Sequence, residues 1–285
     1  MLDQAENLRK LAQGIEEKPK PKMITVTSGK GGVGKSNLVV NLAICLQNMG
    51  KRVMIFDADI GMGNDDILMG IVSDYNVFDV ILNGMSINDV IKDGLYGVKL
   101  LAGGTGLNRV EDLDESKRKY FLKKLEEIND VDYILMDTGA GINRSVLAFI
   151  AAADETIVIT TPEPTSMTDA YSLVKAISHF NLKSRISLVV NRVMDENEGN
   201  LTFNKFKSAV TRFLKVDIDL IGLIWEDRKV TMSVREQKPF IVGYPNCHAS
   251  IDIKYIAKKI IVNTKNNNTG SGFKEVFKKI FNIFS

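Results

Sequence analysis

Gly29-Lys30-Gly31-Gly32-Val33-Gly34-Lys35-Ser36 decides how this chain folds. The octapeptide fits G-x-x-x-x-G-K-[ST]. It lies where that pattern has meaning, between a short apolar run at 23–27 and an amphipathic stretch at 35–48. Glycines let successive backbone N–H groups curl around phosphate oxygens, and the opening turn of a helix adds positive potential at the same place. Lys35 is then set to contact β- and γ-phosphates, and the Ser36 hydroxyl to ligate Mg²⁺. The first expectation is a strand–loop–helix unit that holds a nucleoside triphosphate.

Outward from this unit, short β-branched runs alternate with longer amphipathic ones. Strands are expected at 23–27, 52–57, 98–102, 133–137, 156–160, 186–190 and 220–224. Helices are expected at 35–48, 115–128, 143–152, 168–180, 203–214 and 251–262. Apolar strands bounded by helices predict an α/β fold, a mostly parallel sheet covered by helices on both faces. Three further pieces flank this body. Residues 2–17 read as a helix opened by Asp3 and Glu6, with Ala5, Leu8, Ala12 and Ile15 on one face. Lys18-Pro19-Lys20-Pro21-Lys22 stops it, because proline forbids its continuation. Residues 264–272 are polar and glycine-rich, which predicts a flexible linker. In 273–285, Phe273, Val276, Phe277, Ile280, Phe281 and Phe284 form one helical stripe, with Lys274, Lys278 and Lys279 on other faces. The expected layout is 1–22 as helix and linker, 23–263 as the nucleotide-binding domain, 264–272 as linker and 273–285 as an amphipathic helix.

Composition narrows the class. Of 285 residues, 45% are hydrophobic and 25% charged, which excludes a disordered or collagenous chain. Cys45 and Cys247 lie far apart, so neither a disulfide framework nor a Cys-x-x-Cys pair exists. No secretory leader and no run of about 18 apolar residues is visible, so a cytoplasmic soluble protein is expected. The formal net charge is +2, but from Lys254 onward there are seven lysines and one acid, Glu275. That local +6 leaves −4 for the rest. A slightly acidic body with a basic tail argues against DNA as a partner and directs attention to the tail. Thirteen helical residues cannot span about 30 Å of hydrocarbon, but they can lie in its interface. An anionic membrane surface is the expected partner of the six apolar residues.

Two acidic strand ends are expected to face the loop. Tyr133-Ile134-Leu135-Met136-Asp137 is a hydrophobic run ending in a carboxylate suited to Mg²⁺ support. Phe56-Asp57-Ala58-Asp59 ends another strand at its carboxyl edge, where parallel sheets bind ligands. Asn191-Arg192-Val193-Met194 stands where guanine readers carry N-K-x-D. With Met194 in the fourth position, adenine is favoured, hence ATP.

Lys30 adds a second lysine to the loop. Lys-Gly-Gly-Val-Gly-Lys-Ser resembles the deviant Walker A signature of the MinD/ParA family of P-loop ATPases. The resemblance implies a homodimer with ATP sandwiched between copies, Lys30 reaching the opposite subunit's phosphates. It implies an ATP site made of Gly29, Lys30, Gly31, Gly32, Val33, Gly34, Lys35, Ser36 and Asn37, with Asn191 and Arg192 at the base and Glu226 and Asp227 closing the pocket. Asp57-Ala58-Asp59-Ile60-Gly61-Met62-Gly63-Asn64 looks like the family's switch I. On that resemblance Asp59 orients or deprotonates the attacking water, Asp57 helps hold the site, and Ser36, Asp57 and Asp137 serve the metal. Asp137-Thr138-Gly139-Ala140-Gly141 resembles switch II, with Gly139 in the place of the family's proline. The catalytic set is therefore Lys30, Lys35 and Asp59.

The N-terminus distinguishes among relatives. Asp3-Gln4-Ala5-Glu6-Asn7-Leu8-Arg9 is similar to the D-Q-A-x-x-L-R motif of the flagellar-number regulators of the FlhG (YlxH) group. Those use it to activate the signal-recognition-type GTPase FlhF. Asp3, Gln4, Ala5, Leu8 and Arg9 are the residues so implied, and flagellar C-ring components are further candidate partners. The C-terminal stripe resembles the family's membrane-targeting sequence. It implies a peripheral location at the inner face of the cell membrane, with flagellar number or placement as the regulated outcome. The competing readings are a MinD-type division-site ATPase, which would start almost directly at the first strand, and a ParA-type DNA partition ATPase, which would carry no amphipathic tail. An iron–sulfur reductase lacks its cysteine spacing here.

Overall fold

The computed structural model describes residues 20–59, 65–104, 113–182, 184–266 and 270–284. Strands β1 (Lys22–Ser28), β2 (Val53–Ala58), β3 (Lys92–Asp93), β4 (Lys99–Ala102), β5 (Tyr133–Ala140), β6 (Glu155–Thr160), β7 (Arg185–Val193) and β8 (Asp219–Trp225) form one sheet in the order β3-β4-β2-β5-β1-β6-β7-β8. Every neighbouring pair is parallel except β3 and β4. Between the strands run α1 (Lys35–Asn48), α2 (Asp65–Met69), α3 (Val77–Leu82), α4 (Ile87–Val90), α5 (Glu115–Leu125), α6 (Arg144–Ala152), α7 (Pro164–His179) and α8 (Glu196–Leu214). After the last strand come α9 (Arg228–Arg235), α10 (Phe240–Gly243), α11 (His248–Asn266) and α12 (Phe273–Phe284). This is the α/β architecture the sequence predicts.

All of β2 and all but the first residue of β1 are buried, as strands covered on both faces must be. Alternation divides their side chains. Ile24, Val26, Ile55 and Leu135 meet Leu42 and Ile44 of α1 and Ile256 and Ile260 of α11. Met54, Phe56, Ile134 and Met136 face the other way, against Phe121 of α5, Phe149 of α6 and Phe277 of α12. A third cluster joins Leu188 and Val190 to Leu173 of α7 and Phe206 of α8.

The register does the chemical work. Asp57 stands directly beside Asp137 where β2 pairs with β5, and Val26 of β1 is Asp137's neighbour on the other side. The two acids therefore come together at the carboxyl edge, next to the loop that leaves β1.

Several boundaries differ from expectation. α8 begins at Glu196 rather than 203, because the Asp195 carboxylate accepts the Glu198 N–H at 2.8 Å and caps a turn that has no apolar period. α7 starts at Pro164, tolerated in a first turn. α11 continues to Asn266, into the stretch expected as linker. Strand β3 and helices α2, α3, α4, α9 and α10 were not expected; each is too short for periodicity to register. The expected N-terminal helix lies outside the described residues.

Candidate nucleotide site

Gly34 caps α1 in the left-handed region (φ 100°), and a Cβ there would fall 2.5 Å from Asn191 Nδ2. No side chain caps the helix and no acid occupies its first turn. Its leading N–H groups are thus left for an anion. Asn191 secures the loop from β7: Nδ2 donates to the Val33 carbonyl at 2.7 Å, and Oδ1 accepts the Arg192 N–H at 2.9 Å. Arg192, in the left-handed region at φ 59°, donates from Nη2 to the Gly32 carbonyl at 3.1 Å. The residues expected near the base are therefore tied to the phosphate loop.

Beside them opens a cavity of about 280 Å³, walled by Gly34, Asn37, Asn191, Trp225, Val230 and Phe240. Glu226 and Asp227 also line it, as expected. The Asp227 carboxylate accepts the Lys229 N–H at 2.8 Å and caps α9, while Glu226 lies 3.9 Å from Arg192 Nε. Val230, Thr231 and Val234 of α9 and Phe240 of α10 are pocket walls that sequence reading missed. Asp227 followed by a short amphipathic turn was the available signal. Trp225 stacks on His248 at 5.2 Å, giving that histidine a structural role. Met194 is exposed and brings no carboxylate to the base side.

At the phosphate end, Lys35 Nζ lies 3.5 Å from Asp137 Oδ1, an ion pair with little access to water. Burial pushes the Asp137 carboxyl upward, opposed by the Lys35 charge. Asp57 is pushed up to about 7 by burial and then by the Asp137 charge, although it accepts the Asp59 N–H at 3.1 Å. Sequence reading passed over a third acid. Asp65, at the start of α2, is wholly buried, and burial with the charges of Asp137 and Asp57 raises its carboxyl well above the usual range. Both its oxygens, and Asp137 Oδ1, lack a hydrogen-bond partner among the described residues. Asp65 and Asp137 both feel the Lys35 charge, and Asp57 lies beside Asp137.

That imbalance fits a divalent cation. Ser36, Asp57 and Asp137 supply the hard oxygen donors Mg²⁺ prefers. Among the described residues no three acidic, histidine or cysteine side chains form a ready-made metal cage. Mg²⁺ usually binds through one or two carboxylates with phosphate and water completing the shell, so the donor set suits it. Asp59 abuts switch II: a Cβ on Gly139 would stand 3.3 Å from its Oδ1. The missing proline thus leaves room for the Asp59 carboxylate.

Lys30 points elsewhere. Its Nζ lies 3.2 Å from Glu163 Oε2 and 3.2 Å from Thr165 Oγ1 of its own chain. The apolar stripe of α12 is also occupied: Phe273, Val276, Phe277, Ile280 and Phe281 are buried in the body. Phe277 packs edge-on against Phe56 and Phe121 at 5.6 and 5.0 Å. The residues expected to meet a membrane here complete a protein core. The side chain of Phe284, and residues Asp3, Gln4, Ala5, Leu8 and Arg9, lie outside what the structure describes. No described helix is long and apolar enough to cross a membrane.

A glycine loop at the carboxyl edge of a parallel sheet, with a lysine paired to a buried aspartate and a second aspartate beside it, defines a P-loop nucleotide-binding protein. Comparison with known proteins agrees. Residues 21–190 match the family described as AAA domain. The chain is 35% identical over 239 residues to the antiactivator FleN of Pseudomonas aeruginosa, covering 84% of this chain and 85% of that protein. It is 32% identical over 292 residues to the flagellum site-determining protein YlxH of Helicobacter pylori, covering 98% and 96%. Among solved structures, MinD of Pyrococcus horikoshii complexed with Mg-ADP superposes with a TM-score of 0.67 at 23% identity, covering 84% of this chain and 96% of that one. The chain belongs to the MinD/ParA family of P-loop ATPases, within the flagellar branch of FlhG (YlxH) and FleN.

Proposed function

We propose that this protein is an ATP-driven switch that dimerises around its nucleotide, anchors reversibly to an anionic membrane through α12, and sets flagellar number and placement. Through its N-terminal motif it activates the signal-recognition-type GTPase FlhF. The observation that carries the enzymatic part is the meeting of Lys35, Asp137 and Asp57 at the mouth of the glycine loop. The names of FleN and YlxH support the flagellar part.

In this reading the loop N–H groups and the first turn of α1 bind the triphosphate, and Lys35 turns its charge from Asp137 toward the β- and γ-oxygens. Ser36, Asp57 and Asp137 would hold Mg²⁺, which would supply positive charge to offset that on the transferred phosphoryl group. Asp59 orients the attacking water and takes its proton, so that ATP and water give ADP and phosphate. Lys30 leaves Glu163 and reaches the γ-phosphate held by the second copy, as an arginine finger does. Membrane attachment follows from dimerisation. Each large apolar side chain of α12 is worth roughly 1.5–3 kcal/mol when buried, and leaving its place in the body gives much of that back. Two copies gain by effective concentration what one lacks. The docked α12 is then the resting state.

Two variants test the parts separately. Asp59→Ala should bind ATP but hydrolyse it about 10²–10⁴-fold more slowly, leaving dimers on liposomes; unaltered turnover would remove its catalytic role. A chain lacking residues 1–19 should keep its ATPase activity and lose stimulation of the GTPase. Stimulation that survives would sink the flagellar reading.

A further inference from the structure

Helix α12 is held along its length by Lys274 on Glu126, by Lys279 Nζ on the Ala152 carbonyl at 3.4 Å and by Arg118 over the Phe281 ring, and two further fastenings hold its ends from the opposite ends of α6. At its start, the Asp154 carboxylate accepts the Ser271 N–H at 3.0 Å, the Ser271 hydroxyl, and the Met23 N–H at 2.8 Å. Asp154 in turn donates its own N–H to the Met23 carbonyl at 3.0 Å. This clasp lies at the amino edge of the sheet, where β1 and β6 begin, away from the phosphate loop. At the other end, Arg144 Nη2 donates to the Ile283 carbonyl at 2.9 Å. A guanidinium there satisfies an orphan carbonyl of the last turn and complements the helix dipole.

Arg144 is the first residue of α6, three positions after Gly141 of switch II. Gly141 of switch II donates its N–H to the Ser28 carbonyl at 2.8 Å, and the Ser28 hydroxyl donates to the Lys30 carbonyl at 2.8 Å. A continuous path therefore runs from the phosphate loop through Ser28 and Gly141 to Arg144 and the end of α12. A second contact reinforces it: the ring of Phe56, which precedes Asp57, lies 5.3 and 5.6 Å from the rings of Phe273 and Phe277.

We infer that Arg144 is the nucleotide-sensitive catch of α12 and that the Asp154–Ser271 clasp is its nucleotide-blind hinge. The inference rests on the proposed release of α12 and names the residues that control it. At 2.9 Å the Arg144–Ile283 bond is at its optimum, so a displacement of the first turn of α6 in either direction weakens it. Filling the phosphate loop shifts switch II and frees the distal end of the helix first. The clasp, at the far end of α6 from Arg144 and at the amino edge of the sheet, stays closed until the helix has begun to leave.

Amide hydrogen exchange over residues 276–283, on the full chain without lipid, tests this. With Mg²⁺ and a nonhydrolysable ATP analogue, the wild type should lose protection. Arg144→Gln should lower protection about three- to tenfold without nucleotide and respond little when the analogue is added. Binding of a fluorescent ATP analogue should be retained. Asp154→Asn should lower protection by a similar factor but keep the full nucleotide response. The inference is overturned if Arg144→Gln behaves as wild type, if wild type binds the analogue without any change over 276–283, or if Asp154→Asn also loses the response. Liposome co-sedimentation of the wild type reports separately on membrane binding, so its failure cannot be mistaken for failure of the catch.

Discussion

Lys30 and Lys35 sit in one loop and live in opposite surroundings. The Lys35 side chain is 10% exposed and paired with a carboxylate that is 2% exposed. The Lys30 side chain is 41% exposed and paired with a carboxylate that is 58% exposed. Water screens the second pair, which is worth no more than about 1 kcal/mol. The first cannot be separated without stranding charge in a buried site. One lysine is thus prepositioned and the other is cheap to move, the division of labour expected if one works within its own chain and the other across a dimer.

The largest effect that could break this comparison is on turnover. Lys30→Ala should reduce phosphate release by about 10³-fold or more, as loss of a transition-state cation does, yet shift stability by less than about 1 kcal/mol. Near-normal turnover would show the exposed lysine to be idle. Next is Lys35→Ala, measured by thermal unfolding without nucleotide. Removing the buried partner of Asp137 should cost about 3–5 kcal/mol, with Tm falling by roughly 2–4 °C per kcal/mol in a chain of this size. An unaltered Tm would mean that the acids never needed it.

The smallest effect sharpens the picture of what surrounds Lys35. Asp57 and Asp65 bind protons more tightly when folded than when unfolded. Between the ordinary carboxylate value and about 7 for Asp57, the native state therefore holds protons the unfolded chain has lost. Stability without nucleotide is favoured at low pH and falls as pH rises through that window. Asp65→Asn should raise stability at pH 8 by about 1–3 kcal/mol and flatten the decline between pH 5 and 8. A profile as steep as wild type would acquit Asp65.

The phosphate end of the molecule was legible because its chemistry is local. Gly29 to Ser36 is one contiguous motif, and α1 begins and ends where periodicity predicts. Asp57 and Asp137 lie far apart in the chain, but each closes a hydrophobic run, so the parallel register that unites them was implied. Asp65 was not legible: nothing in Asp65-Asp66 says which acid turns inward, and only the packing of α2 decides it. Helices α9 and α10, which wall the base cavity, are shorter than the window in which a helical period can be seen. The stripe on α12 shows a different limit. Spacing announces that Phe273, Phe277 and Phe281 will be dry, but it carries no information on whether lipid or protein dries them. Phe56, Phe121 and Phe149, scattered over β2, α5 and α6, supply the answer in this fold.

Those three rings carry a consequence for handling the protein. A tail that departs leaves behind a trough lined with phenylalanine, and bare aromatic surface of that kind invites clumping. Concentrated samples loaded with triphosphate but given no bilayer or detergent should cloud sooner than samples kept with diphosphate, because the anchor and its empty berth become sticky together.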